Sequence, residues 1–213
     1  MDKQKEYFEQ AYNTGSDIWT LVSKKIDLDN FLTNLPKDAM LLDVGSGRGR
    51  VAFSLVDLGY KVIGLDYVSS IVEKNNDEAK TRGVLDKVRF VVGDATDIDF
   101  ADGSFDAIFD IGTSHHFKKD EMEKYVKEIS RVVKQGGYIF FVGLSRETPK
   151  YMTFLPQQSE DGEYDHHGVH NHFFTEEEIE KYFGETFEIV SMESMRLGEK
   201  DKLFYLIVSM KRK

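Results

Sequence analysis

Three sets of residues in this sequence have types and spacings suited to chemistry. The first is Leu41-Leu42-Asp43-Val44-Gly45-Ser46-Gly47-Arg48-Gly49. An apolar run closing on an acid reads as a strand, and glycines at alternate positions let the backbone bend sharply and meet a ligand with no Cβ in the way. A helix that follows offers unpaired amide donors at its start, a ready site for an anionic or polar group. Taken alone, the same loop could also be a tight strand-to-helix turn. A dinucleotide fingerprint requires Gly or Ala where Arg50 stands, because a bulky side chain there obstructs helix–strand packing, so the spacing disfavours a nicotinamide cofactor.

The second set is acidic. Asp43, Asp66 and Asp94 each close a strand-like run, and ligands of open α/β sheets bind outside the carboxyl ends of strands, so the three should face one crevice. One carboxylate there can accept from two ribose hydroxyls and another from the exocyclic amine of adenine. The competing reading is that each acid caps the turn behind it, a common use of Asp. The third set is imidazole. His115 and His116 follow the fourth strand, with an unperturbed pKa suited to proton transfer near neutrality. His115 is the candidate base, while His116 reads as a structural or pocket-lining group. The stretch Asp165-His166-His167-Gly168-Val169-His170-Asn171-His172 has ligand types that zinc, copper or nickel accept. Its spacing matches no metal signature, so no metal site is expected and the stretch reads as a loop over the substrate.

Elements that would position these groups follow from periodicity. Strands are expected over 40–44, 61–66, 87–94, 105–110 and 138–144, alternating with helices over 51–58, from Ser69 or Ser70 to Gly83, and along Met122 to Val133. Ser70 with Glu73, and Thr175 with Glu178, have capping-box spacing. Strands over 187–193 and 203–210 close the chain. The connection between them is too short for a parallel crossover, so they should pair antiparallel. The expected class is α/β: a doubly wound, seven-stranded, mostly parallel sheet with an antiparallel C-terminal strand and helices on both faces.

A chain of 213 residues suits one such domain. It divides into an N-terminal helical cap (1–36), a cofactor-binding core (40–143), a substrate-covering insertion (144–172) and a C-terminal helix with an antiparallel hairpin (173–213). The net charge of −10 and the absence of clustered Lys and Arg argue against a nucleic-acid partner. No apolar run is long enough to span a membrane, and the charged start lacks the pattern of a secretory signal, so a cytoplasmic protein is expected. With no cysteine, neither disulfides nor thiolate chemistry are available.

Residues 40–143 resemble the core of the Rossmann-type (class I) S-adenosylmethionine-dependent methyltransferases. The resemblance implies that Gly45, Ser46, Gly47 and Gly49 pass beneath the methionine part of the cofactor and that Asp43 orients the loop and the amino end. It implies that Asp66 with Tyr67 holds the ribose, that Asp94 and Ala95 meet the adenine, and that Asp110, Ile111 and Gly112 lie beside the sulfonium. Two flanks, Tyr12-Asn13-Thr14-Gly15-Ser16-Asp17-Ile18-Trp19 and His172-Phe173-Phe174-Thr175-Glu176-Glu177-Glu178, are similar to segments of the thiopurine and tellurite-resistance branch, which makes Trp19 either a lid over the cofactor or a core residue. His116, Tyr151, Phe154, Tyr164 and His170 are candidates for lining the pocket of a small-molecule acceptor. The activity implied is methyl transfer with release of S-adenosylhomocysteine; the alternatives are an NAD(P)-binding oxidoreductase and a noncatalytic S-adenosylmethionine-binding regulator.

Overall fold

Alternation of side chains across the central strands builds a sheet buried on both faces. Leu41, Ala107, Phe109, Phe140, Val142 and Ile207 point to one face, and Leu42, Ile108, Ile139, Phe141, Leu206 and Val208 to the other. Near-continuous apolar runs are what strands covered on both sides require. The computed structural model describes residues 3–17, 26, 28–148, 161–166, 168–196 and 203–213, without the side chain of His166. Trp19, Tyr151 and Phe154 lie outside that set.

The strands are β1 (Met40–Val44), β2 (Lys61–Asp66), β3 (Val88–Val92), β4 (Phe105–Ile111), β5 (Val133–Leu144), β6 (Glu163–His166), β7 (Val169–His172), β8 (Phe187–Arg196) and β9 (Phe204–Arg212). Seven of them form one sheet in the order β3-β2-β1-β4-β5-β9-β8. The first five pair in parallel, and β9 runs antiparallel to both β5 and β8. The expected fold is therefore the observed one. The order reverses between β1 and β4, which opens a crevice at their carboxyl ends.

The helices are α1 (Lys3–Thr14), α2 (Asp29–Leu32), α3 (Arg50–Asp57), α4 (Ser69–Arg82), α5 (Lys119–Val132) and α6 (Glu176–Phe183). Helix α3 packs Ala52, Phe53, Leu55 and Val56 on the first face, whereas α5 and α6 cover the second with Met122, Tyr125, Ile129, Ile179 and Phe183. Helix α6 begins as the capping box predicts, with Thr175 Oγ1 accepting from Glu178 N at 3.1 Å and Glu178 Oε2 from Thr175 N at 2.8 Å. Helix α4 does not. Its N-cap is Val68, with no side-chain cap, and the Val68 amide is instead held by Asp66 Oδ1 at 2.9 Å.

Two further segments differ from expectation. Strand β5 starts five residues early, directly after α5, through an irregular register between Phe105 and Ala107. Within the insertion read as irregular, β6 and β7 form an antiparallel hairpin that docks on the 3-10 turn Ser114–His116. No helix among the described residues is long and apolar enough to cross a membrane.

Tyr125 joins the second face to the crevice, since its hydroxyl donates to the fully buried Asp110 Oδ2 at 2.8 Å. Tyr125→Phe leaves that acceptor unmatched and should lower unfolding stability by about 1 to 3 kcal/mol. Urea denaturation measures it, and an unchanged midpoint would show that the bond contributes nothing net.

Candidate functional site

Three strand tips and one turn define the crevice. Between β1 and α3 the backbone passes through left-handed conformations at Gly45, Gly47 and Gly49, with φ of 63°, 48° and 68°. Side chains rarely tolerate that region. Space excludes them as well: a Cβ on Gly45 would collide with Thr113 Oγ1, and one on Gly49 would sit 2.7 Å from Phe90 Cζ. Thr113 Oγ1 in turn donates to Val44 O at 2.9 Å, which ties the loop after β4 to the glycine turn.

Asp66 braces this turn. Its Oδ2 accepts from Gly47 N at 2.8 Å, and Asn75 Nδ2 donates to Gly47 O at 2.7 Å, so the peptide groups on either side of Gly47 are both held. Asp43 Oδ2 accepts from Ala52 N at 3.1 Å in the first turn of α3. Asp110 Oδ1 accepts from Thr113 N at 3.0 Å and Ser114 N at 3.3 Å. These three carboxyl groups are buried and have no ion-paired cation among the described residues. Burial pushes all three above the usual carboxylate range, Asp43 to about 8, with the neighbouring acids adding to the rise at Asp43. Asp94 differs: it is exposed, and its Oδ1 takes both Thr96 N and Thr96 Oγ1 at 2.8 Å, the turn-capping use open to any Asp.

The crevice is lined by Asp43, Gly45, Ser46, Gly47, Asp66 and Tyr67, by Asp94 and Ala95, and by Ile111, Gly112 and His116. Five expected residues lie elsewhere. Gly49 is turned against Phe90 and Phe53. The Asp110 carboxylate faces Tyr125 and the amides behind it, so it shapes the loop instead of facing the crevice. His115 is buried off the lining, and its Nδ1 has no hydrogen-bond partner among the described residues. Tyr164 packs into the core of the first face. The His170 ring is buried, and the residue reaches the site only through its backbone.

Sequence reasoning missed the contribution of α1 and of the arginines. Gln4, Phe8 and Tyr12 line the crevice from above, and the Tyr12 hydroxyl lies 3.0 Å from where a Cβ on Gly47 would stand. Arg48 fastens that cover. It donates through Nε and Nη2 to the buried Asp17 carboxylate at 2.6 Å each, and Nη2 also reaches Tyr12 O at 2.8 Å. Arg50, the first residue of α3, lines the crevice with no acceptor paired to it among the described residues. The signal was available: Arg50 stands at the helix start, although its bulk served only as an argument against a dinucleotide.

Known proteins bear on this arrangement. A family model described as a methyltransferase domain matches residues 42–141. The uncharacterized methyltransferase YcgJ of Bacillus subtilis is 36% identical over 102 residues, spanning 48% of this chain and 39% of that protein. Phosphoethanolamine N-methyltransferase 3 of Arabidopsis thaliana is 30% identical over 148 residues, spanning 65% of this chain and 30% of that protein. The chain thus spans between three and four tenths of the length of these relatives. The fold superposes with a TM-score of 0.77 on the crystal structure of Burkholderia thailandensis 1,6-didemethyltoxoflavin-N1-methyltransferase with bound 1,6-didemethyltoxoflavin and S-adenosylhomocysteine, covering 98% of this chain and 87% of that one. At 22% identity that likeness is one of fold.

Two outcomes test the geometry. Gly45→Ala should destabilise the protein and loosen the β1–β4 connection, because it imposes both a left-handed φ and a collision with Thr113; a thermal midpoint equal to the wild type would contradict it. For Asp43, the folded pKa lies above the unfolded value of about 3.9, so its neutral form is favoured by folding, and the stability it confers is lost as pH rises from about 4 through 8. The thermal midpoint of Asp43→Asn relative to the wild type should therefore climb steadily from pH 5 to pH 8. A gap independent of pH would mean that the carboxyl carries no burial cost.

Proposed function

With residues 42–141 belonging to the methyltransferase-domain family, we propose that the protein is an S-adenosylmethionine-dependent methyltransferase that acts on a small molecule and releases S-adenosylhomocysteine. The observation that carries the reading is the meeting of buried carboxyl groups, without an ion pair among the described residues, at a turn that favours glycine. Such groups are stabilised by a ligand that brings positive charge and hydroxyl donors, because a buried carboxylate gains most from charge-assisted partners. S-adenosylmethionine offers an ammonium, a sulfonium and two ribose hydroxyls.

The residues fit that ligand part by part. Arg50 and the start of α3, which has no side-chain cap, suit its carboxylate. Asp43 suits the ammonium. Asp66 keeps accepting capacity beside the Gly47 and Val68 amides for the ribose hydroxyls, since each carboxylate oxygen has two acceptor sites. Asp94 and Ala95, beyond β3, border the space for the base, with no donor to Asp94 Oδ2 among the described residues. Bound here, the cofactor supplies a methyl group activated by a sulfonium.

What the protein itself contributes is alignment and exclusion of water. Gly112 and Thr113 set the floor beside the reacting end, and Phe8, Tyr12 and Phe117 close it with aromatic surface. Holding two reactants in line can supply much of the rate enhancement of such a displacement. The hairpin β6–β7 meets the acceptor side through the His170 carbonyl, which holds His116; Tyr151 and Phe154, outside the described residues, are further candidates to line it.

Asp66→Ala removes a ribose acceptor and a brace of the turn together, and should weaken S-adenosylhomocysteine binding about 10- to 100-fold, equivalent to roughly 1 to 3 kcal/mol. Calorimetric titration reads it. Equal affinity would take Asp66 out of the site, and a wild-type protein stabilised by NADH but not by S-adenosylhomocysteine would overturn the assignment.

A further inference from the structure

The acceptor side of the crevice holds a histidine whose tautomer is fixed by the fold. His116 Nδ1 lies 2.8 Å from the carbonyl oxygen of His170, 54 residues away on β7. A carbonyl oxygen can only accept, so Nδ1 carries the proton, and in the neutral ring Nε2 then carries the lone pair. That nitrogen has no hydrogen-bond partner among the described residues and is not sealed in protein. The contrast with its neighbours is sharp. His115 Nδ1, His170 Nε2 and His172 Nε2 are all buried and inaccessible.

The ring is also held in place. Its plane meets Phe8 edge-on at 5.1 Å and His115 at 4.3 Å between centroids. Gln4 joins the three elements around it, its Nε2 donating to His116 O at 3.4 Å and its Oε1 accepting from His170 N at 3.0 Å. Burial keeps the imidazole neutral, with its pKa drawn down to about 4. The same burial makes the ring a weak base, so what fits it for proton transfer is its place: His116 lines the crevice with Nδ1 tied to a fixed partner and Nε2 outside the sealed interior.

We infer that His116 Nε2 receives the proton of the methyl acceptor, and that the acceptor is therefore an N–H or O–H nucleophile, not a thiolate. The inference rests on the methyl-transfer reading above. When the lone pair of such an atom bonds to the methyl carbon, the carbon–sulfur pair stays with sulfur as a neutral thioether, and the acceptor atom is left with a proton it must shed. That proton passes to the lone pair on Nε2, and the imidazolium returns it to solvent. A thiolate arrives without the proton and has no use for the arrangement. The β6–β7 hairpin acts here as a positioning element, because its His170 carbonyl sets which nitrogen faces the acceptor.

Two measurements test this. Long-range 15N–1H correlation spectra of the free protein at pH 7 should show His116 protonated at Nδ1 and bare at Nε2; a proton on Nε2 overturns the inference without any assay. His116→Asn keeps a donor for the His170 carbonyl and removes the base. With phenol and benzimidazole probes as acceptors, kcat should fall by about 100-fold or more. S-adenosylhomocysteine affinity should stay within about threefold, and the loss of kcat on phenol and benzimidazole should exceed the loss on thiophenolate by about 30-fold or more, since a missing ring affects every acceptor but a missing base affects only those that carry a proton. Equal losses on thiophenolate and phenol, an unchanged kcat on phenol and benzimidazole, or a wild-type protein that methylates thiols alone or none of these probes would each overturn it. Failure of the wild type to bind S-adenosylhomocysteine strikes the methyl-transfer reading itself, whereas retained binding with an unaffected variant strikes only the role of His116.

Discussion

The structure turns on a cost: carboxyl groups at the tips of β1, β2 and β4 are withdrawn from water with backbone amides and one tyrosine hydroxyl for company, and no ion-paired cation among the described residues. Burying an acid without a counter-ion is unfavourable, and the group responds by holding its proton. A fold that lines one crevice beside a glycine turn with two such groups, Asp43 and Asp66, is suited to a ligand that brings positive charge and hydroxyl donors. Other features of the site follow from that. The turn must be bare of side chains so that a ligand can approach the acids, and the loop after β4 is tied to that turn through Thr113 Oγ1 and Val44 O.

The acids divide their work by position. Asp110 is turned wholly inward and sets the shape of the loop that carries Gly112 to His116. Asp43 and Asp66 each hold backbone and line the crevice, so they are both scaffold and contact. Asp94, out in solvent, needs no such compensation. The cover of α1 is fastened at the opposite side by the Arg48–Asp17 pair, whose bidentate geometry positions Tyr12 over Gly47.

Much of this was legible in the sequence because it is local. Short apolar runs alternating with helical periodicity placed the strands, the Thr175–Glu178 spacing placed the start of α6, and the short link before Phe204 forced an antiparallel end. What was not legible depends on contacts across the chain. The start of α4 was misread because Asp66 Oδ1 holds the Val68 amide, leaving Ser70 without the capping role. The choice between His115 and His116 was beyond periodicity, since a 3-10 turn points one ring inward and a carbonyl on a distant hairpin orients the other. Within the N-terminal helical cap, nothing local marked Gln4 and Phe8 as residues that the fold sets over the crevice.

The most direct test of the buried-acid account is proton linkage on cofactor binding. A carboxyl held at about 8 is mostly neutral at pH 7, and an ammonium brought against it should drive it to ionise. Calorimetric titration with S-adenosylmethionine at pH 7, in buffers of different ionisation enthalpy, should therefore reveal release of about one proton per molecule bound, the same linkage that accompanies binding of cations to acidic ligands. Heats that are identical in every buffer, or uptake of a proton on binding, would contradict it.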